Sequence, residues 1–413
     1  MSKRVVITGL GILAGNGKGR ADYFDALQNG RVGYRPVTLF DASGFYVNQA
    51  GEISDFDPKI YMGPKGLRSL DRSTTLLVSA ARLALDDCGL IITDENTDDC
   101  GVSVGTTLGS IKSISDFDEV TLREGPRYTN PALFPNTVIN SPASQVSIWH
   151  KIKGFNTTIS SGFTASMDAM QYAYDFIQWD RARAILAGGV EEMCYQTFFG
   201  FHELRFLSGS KPGEEFVNCP FDVRRNGVTL GEGACLMCLE DEEHARARGA
   251  NILAEILGFG YSFDPYRINK YNPRASGLKA ALADALNQTG LGPSDIDVIM
   301  ANANSTRAAD KIEAYAIREV FGSAADKIPV TAVKSMVGET YSVSGAMAVA
   351  AGLAVLQDDL VPPTVNCLEP DPDCALNIVR GKSAAVKAKN IMVINFGPNG
   401  SNTIMILRRR EGK

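Results

Sequence analysis

The residues best placed to do chemistry are a run of small polar side chains, Asn156-Thr157-Thr158-Ile159-Ser160-Ser161-Gly162, set directly before an apolar helical face. That face is made by Phe163, Met167, Met170, Tyr174 and Ile177, which recur at i, i+4, i+7, i+11 and i+14, so the helix is expected to be buried. A turn leading into such a helix often presents a nucleophile. The other chemistry-bearing residues are dispersed. The eight cysteines, at 88, 100, 194, 219, 235, 238, 367 and 374, are expected to be reduced thiols. Cys235 and Cys238 form a lone CxxC inside the strand-like Ala234-Cys235-Leu236-Met237-Cys238-Leu239 and read as a buried, inert pair. His150, His202 and His244 have no ligand-like spacing to one another or to the cysteines, so no metal site is expected, and His244, in a charged stretch, is expected in solvent. Gly9-Leu10-Gly11-Ile12-Leu13-Ala14 satisfies the dinucleotide fingerprint, but Gly15, Gly17 and Gly19 keep the chain loop-like where a helix should start. No acidic residue ends a second strand about 20 positions on, so the motif reads as a glycine-rich strand exit.

Positioning these residues calls for a layered α/β scaffold. Strand-like runs at Arg4 to Leu13, Cys100 to Gly105, Ala182 to Gly188 and Ala234 to Leu239 alternate with helical patterns. Asn251 to Tyr261, Asp297 to Ala301, Ile328 to Thr331 and Asn390 to Leu407 repeat the rhythm around a helix at Ser276 to Thr289, which suggests two related halves, 1–250 and 251–413. With 413 residues, 45% of them hydrophobic, the chain can bury a large core. Its 41 basic and 47 acidic residues include no basic run long enough to track a phosphate backbone, so nucleic acid is not an expected partner. Met1 to Gly9 runs straight into an apolar strand without a signal-peptide pattern, and Ser344 to Leu356 is too short to cross a bilayer and suits close helix packing. A cytoplasmic protein without a membrane partner is expected.

Several segments together resemble the β-ketoacyl synthase family, nearly end to end. Arg4-Val5-Val6-Ile7-Thr8-Gly9-Leu10-Gly11 is similar to the family's opening strand, and Pro220-Phe221-Asp222 through Gly231-Glu232-Gly233-Ala234 to its PFD…GEGA block. Lys334-Ser335-Met336-Val337-Gly338 resembles its KSxxG loop, and Phe396-Gly397-Pro398-Asn399-Gly400-Ser401-Asn402 its FGFGGTN turn. The resemblance implies a thiolase fold, with two βαβαβαββ-like halves in five layers, αβαβα. It also implies chemistry by a Cys and two His: a thiolate lowered in pKa by a helix N-terminus, and imidazoles that assist malonyl decarboxylation and stabilise the enolate.

The resemblance places Ile159 at the nucleophile position of TACxSG, Asn302 at the first histidine of HGTSTxxxD and Glu339 at the histidine of KSxxGH. Ile has nothing to attack with, an amide carries no proton at neutral pH, and a carboxylate opposes a malonyl anion. Glu313 and Lys334 persist at the family's spacing and are expected to form a structural ion pair, while Pro398 replaces the gate phenylalanine and argues against acyl-triggered gating. No catalytic residue is therefore expected. Disarmed members of this kind resemble the chain length factor, the ketosynthase β-subunit of bacterial type II polyketide synthases, as does Leu67-Arg68-Ser69-Leu70-Asp71-Arg72 more modestly.

That resemblance implies a heterodimer with an active ketosynthase α-subunit, no bound cofactor, and contact with the phosphopantetheine of an acyl carrier protein and the growing polyketide through the complex. Chain length would be set between Gly105 and Asn140, with Ile111, Ile114, Phe117, Asp118 and Phe134 as tunnel residues; the Ile111/Ile114/Phe117 stripe also reads as ordinary core. The alternative is an independently active acyltransferase or malonyl-carrier decarboxylase using Ser160, Ser161 or Cys194.

Overall fold

The computed structural model describes residues 3–267 and 270–410. Strands β1 (Val5–Ala14), β2 (Cys100–Gly105), β3 (Asn156–Ile159), β4 (Ala184–Glu191) and β5 (Gly233–Asp241) lie in the order β3-β2-β4-β5-β1. Strands β6 (Ala254–Phe263), β7 (Val298–Met300), β8 (Val330–Thr331), β9 (Asn390–Phe396) and β10 (Ser401–Arg408) lie in the order β8-β7-β9-β10-β6. Each set thus runs third, second, fourth, fifth, first. The pairing sense repeats as well: the first three strands of each set in that order are parallel, and the next two pairings are antiparallel. Val5–Ile7 of β1 pairs antiparallel with Ala254–Ile256 of β6, which joins the two sets into one sheet path.

Helices α1 (Arg72–Cys88), α2 (Ile111–Arg123), α3 (Ser141–His150), α4 (Ala165–Gln178), α5 (Tyr195–Glu203), α6 (Ser276–Thr289), α7 (Arg307–Phe321) and α8 (Ser344–Asp358) complete the frame. Helices α4 and α8 pack on each other between the two sets of strands, where Met167, Met170, Met347 and Leu353 meet Ile7, Ile185, Met300 and Val393. Helices α1 and α3 cover the opposite face of the first set, over Leu13, Val102 and Leu186. Helices α6 and α7 cover that of the second, over Ile299, Ile394 and Ile404. The result is the five-layer αβαβα arrangement of the thiolase fold. The Ala- and Gly-rich α8 can lie in the middle layer because its small side chains let strands approach closely; a Cβ at Gly352 would already touch Leu407 at 3.2 Å.

Four expectations need correction. Gly9 and Gly11 are in the interior of β1, not at a strand exit: a Cβ at Gly11 would fall 1.9 Å from the Ala80 carbonyl oxygen, so these glycines let α1 lie on the strand. The first part of the small polar run is the strand β3 rather than a turn, and among the described residues it forms an edge paired only to β2. The Asn390 to Leu407 run is two strands folded back through Gly397–Gly400, with Gly400 at φ 99° making the turn. His244 is only partly exposed and bonds Glu240 at 2.8 Å. Cys235 and Cys238 are buried, one in the core around α4 and α8 and the other under α1, so the CxxC sulfurs face opposite sides of β5. Among the described residues no helix is long and apolar enough to cross a membrane.

Candidate functional site

The loop from Ser160 to Thr164 connects β3 to α4 and is held from two sides. The Ile159 carbonyl accepts the Thr106 amide at 3.0 Å, and the Thr107 hydroxyl donates to the Gly162 carbonyl at 3.0 Å. From the other side, Asn399 Nδ2 donates to the Ser161 carbonyl at 2.8 Å and Asn395 Nδ2 to the Phe163 carbonyl at 3.0 Å. Gly162 turns at φ 85°, and a Cβ there would meet Asn399 Nδ2 at 2.7 Å, so glycine is needed for both conformation and space. The turn that could present a nucleophile is therefore kept, with the hydrocarbon side chain of half-buried Ile159 at its head. Asn399, one residue after Pro398, clamps the closing turn to this elbow.

Among the described residues none of the substitute nucleophiles is hydrogen-bonded to a histidine. Ser160 is exposed, with its hydroxyl 3.5 Å from the Thr107 carbonyl, and the Ser161 hydroxyl donates to Asp168. Cys194 is buried, which pushes its thiol up, and its sulfur lies 3.3 Å from the Thr197 hydroxyl. The histidines are engaged elsewhere: His150 with the Val78 carbonyl at 3.2 Å, His202 with Glu203 at 3.0 Å, and His244 with Glu240.

The loop after β7 and the short helix Lys334–Val337 bring the other two positions together. Lys334 Nζ donates to Asn302 Oδ1 at 2.7 Å and to Glu339 Oε2 at 2.9 Å, and all three side chains are buried. Glu339 Oε2 also accepts Asn304 Nδ2 at 3.0 Å, while Oε1 accepts the Tyr341 amide at 3.0 Å and the Ser344 hydroxyl at 2.6 Å. Asn302 Nδ2 donates to the Phe396 carbonyl at 3.1 Å, so the closing turn that clamps the elbow also touches this cluster.

The expected ion pair between Lys334 and Glu313 is not formed; Lys334 pairs with Glu339 instead. Glu313 Oε1 accepts the Asn302 amide at 2.7 Å. Burial, reinforced by neighbouring Asp310, pushes the Glu313 carboxyl up to about 8 in spite of the Asn302 amide and Lys334, so it is largely neutral at pH 7. Asp310 accepts the Phe221 amide at 2.8 Å and the Asn304 amide at 2.9 Å, tying the Pro220-Phe221-Asp222 block to the Asn302 loop.

Two buried carboxyls escaped the sequence reading. Glu191, pushed up to about 7 by burial, accepts the Ser342 hydroxyl at 2.6 Å and the Thr107 amide. Glu192, pushed up to about 8 by burial and then by Asp71, accepts the Ser73 amide at 3.1 Å and the Lys112 amide at 3.3 Å, joining the starts of α1 and α2. Their signal was a pair of acids continuing an apolar strand, Ala184 to Val190, without a turn residue between.

The proposed tunnel residues lie on α2 and the turn after it. No residue of α2 is fully buried, so the ordinary-core reading of Ile111, Ile114 and Phe117 does not hold. Phe117 packs on Phe134 with ring centroids 5.9 Å apart, yet Phe134 is 58% exposed, as are Leu122 (85%) and Tyr128 (71%) nearby. Asp116 and Asp118 face solvent.

Known proteins resemble the chain over nearly its whole length. Residues 2–245 match the model of the β-ketoacyl synthase N-terminal domain and residues 253–368 that of its C-terminal domain. The chain is 36% identical over 408 residues to a 3-oxoacyl-[acyl-carrier-protein] synthase 2 of Coxiella burnetii, covering 98% of this chain and 99% of the relative. Among solved structures, the ishigamide ketosynthase/chain length factor superposes with a TM-score of 0.91 at 32% identity, covering 100% of both chains. A chain of a type II polyketide synthase acyl-carrier protein in complex with its ketosynthase bound to the hexaketide (AntDE:AntF) also superposes with a TM-score of 0.91, at 26% identity and 100% coverage of both. On the matching domains, the end-to-end similarity and the shared fold, the chain belongs to the β-ketoacyl synthase family.

Proposed function

We propose that the chain is a non-catalytic ketosynthase-like subunit, a chain length factor, which pairs with an active ketosynthase and shapes the tunnel in which a polyketide grows. The observation that carries this reading is the site itself: Ile159, Asn302 and Glu339 stand where a thiol and two imidazoles would be needed, inside loops that keep their hydrogen bonds. The curated relatives named as 3-oxoacyl-[acyl-carrier-protein] synthase 2 support the scaffold and the carrier-protein partner. The ketosynthase/chain length factor structure supports the pairing. In this role the protein is cytoplasmic, carries no cofactor of its own, and meets substrates on the phosphopantetheine arm of a carrier protein. Its halves are taken as 1–250 and 251–413.

The unpaired edge of β3 and the half-exposed apolar face of α2 supply the surface for the partner. An obligate interface of this kind buries roughly 2,000 Å² or more. Co-expression with a Cys-bearing ketosynthase, followed by native mass spectrometry and malonyl-carrier turnover, is the test. A one-to-one complex is expected, with no CO2 release by this chain alone. Only stable monomer, or carrier-dependent CO2 release by the isolated chain that is lost on Ser160→Ala, overturns the reading.

A further inference from the structure

The Glu339 carboxylate is coordinated as a bound anion would be. Each oxygen has two donors: Asn304 Nδ2 at 3.0 Å and Lys334 Nζ at 2.9 Å on Oε2, the Tyr341 amide at 3.0 Å and the Ser344 hydroxyl at 2.6 Å on Oε1. These donors come from the loop after β7, the short helix Lys334–Val337, the turn at 341 and the first residue of α8, so four separate elements converge on one carboxylate. Tyr341, whose amide supplies one of these donors, is a large non-glycine residue at φ 32°, an uncommon conformation. Charge-assisted hydrogen bonds from two sides, in a cluster where Lys334 and Glu339 are both buried, make a receptor for a carboxylate.

We infer that this cluster is a small-carboxylate binding site kept permanently occupied by the chain's own Glu339. The side chain is a resident ligand, and it closes the pocket to any carboxylate presented from outside. The inference deepens the non-catalytic reading of this site and rests on it, but it does not depend on the heterodimer. It adds that the pocket is filled as well as lacking a nucleophile.

Glu339→Ala removes the CH2-carboxylate portion of the side chain and leaves all four donors in place, so acetate matches the lost group in size and charge. The experiment measures the melting temperature of full-length wild type and Glu339→Ala at constant ionic strength in acetate, in acetamide and in chloride. Acetate is expected to raise the melting temperature of the variant saturably by several degrees and to leave wild type unmoved, because a ligand stabilises only the state that binds it. Acetamide and chloride are expected to do neither. In Glu339→Ala/Lys334→Met the acetate effect is expected to vanish. A folded Glu339→Ala on which acetate acts no differently from chloride overturns the inference.

If Glu339→Ala folds only when acetate is present, the inference is supported. If it folds under neither condition, the inference is overturned, because four intact donors that bind acetate would have restored the fold. Failure of the pairing experiment leaves the acetate result standing, and failure of acetate rescue leaves the pairing untouched, so the two readings fall separately.

Discussion

Lys334 and Glu339 form a buried ion pair at 2.9 Å, five residues apart on the loop where the family's second imidazole is expected. A buried pair of this kind stabilises little relative to apolar packing, but removing one member strands the other. Lys334→Met should therefore cost about 3–5 kcal/mol, measured from the denaturant midpoint. Lys334→Met/Glu339→Gln, with neither charge left, should recover a large part of that loss. A Lys334→Met variant as stable as wild type would show that the pair is not the member holding this loop.

Glu313 gives a pH signature of opposite sense to an ordinary paired carboxylate. Its folded-state value, about 8, lies above the usual glutamate range, so the folded protein holds a proton that the unfolded chain has released. That contribution is fully present below about pH 4, declines as pH rises, and is gone above about pH 8. Glu191 and Glu192, at about 7 and about 8, act in the same direction. Glu313→Gln keeps an acceptor for the Asn302 amide without ionising. It should match wild type near pH 4 and exceed it by on the order of 4 kcal/mol at pH 8.5, flattening the fall in melting temperature. Equal pH slopes for the two proteins would mean that Glu313 is already ionised in the fold.

The repeat of strands was legible because β1, β2, β4, β5 and β9 are runs of apolar residues interrupted by few polar ones, buried on both faces. β3 was not: Asn156-Thr157-Thr158-Ile159 is short and polar, and only its parallel register with Val102–Gly105 makes it a strand. The three altered positions could be placed from motif spacing alone. The partner of Lys334 could not, because Glu313 and Glu339 both lie at plausible separations and the choice depends on how α7 packs. There Glu313 turns to the Asn302 amide and leaves Lys334 to Glu339. Sequence also could not show that the α2 stripe is uncovered, since an amphipathic pattern fixes which face is apolar and not what lies against it.

Ile159→Cys tests whether the elbow is the only defect. The substitution places a thiol at the end of β3, ahead of α4, where the helix amides favour a thiolate, so acyl transfer from a thioester becomes feasible. Decarboxylation and enolate stabilisation still meet Asn302 and the ion-paired Glu339. General acid–base help is worth roughly 10²–10⁴-fold and an oxyanion donor roughly 10²–10³-fold. In a complex whose partner cysteine is removed, mass spectrometry should thus find acylated Cys at this position without chain extension. Robust extension by this single variant would place the defect elsewhere.

Chain length should respond to trimming α2. The helix starts where Glu192 accepts the Lys112 amide at 3.3 Å, which fixes Ile111, Ile114 and Phe117 along one face. Phe117 is backed by Phe134 at 5.9 Å between centroids, so the two rings form a wall rather than a pair of free side chains. Because none of these residues is fully buried in the chain, truncation should cost under about 2 kcal/mol, less than the ~2–5 kcal/mol of a core site, and the subunit should still fold and pair. If the face closes the partner's tunnel, Ile114→Ala or Phe117→Ala removes several carbon atoms from its floor and admits about one more ketide. Product mass from the reconstituted pair, compared with Ile111→Ala at the start of the helix, is the measurement. A longer product from Ile114→Ala or Phe117→Ala, with an Asp116→Ala control unchanged because that side chain faces solvent, is the expected outcome. Unchanged product length in all the trimmed variants, with the complex intact, would move the length-setting site away from α2.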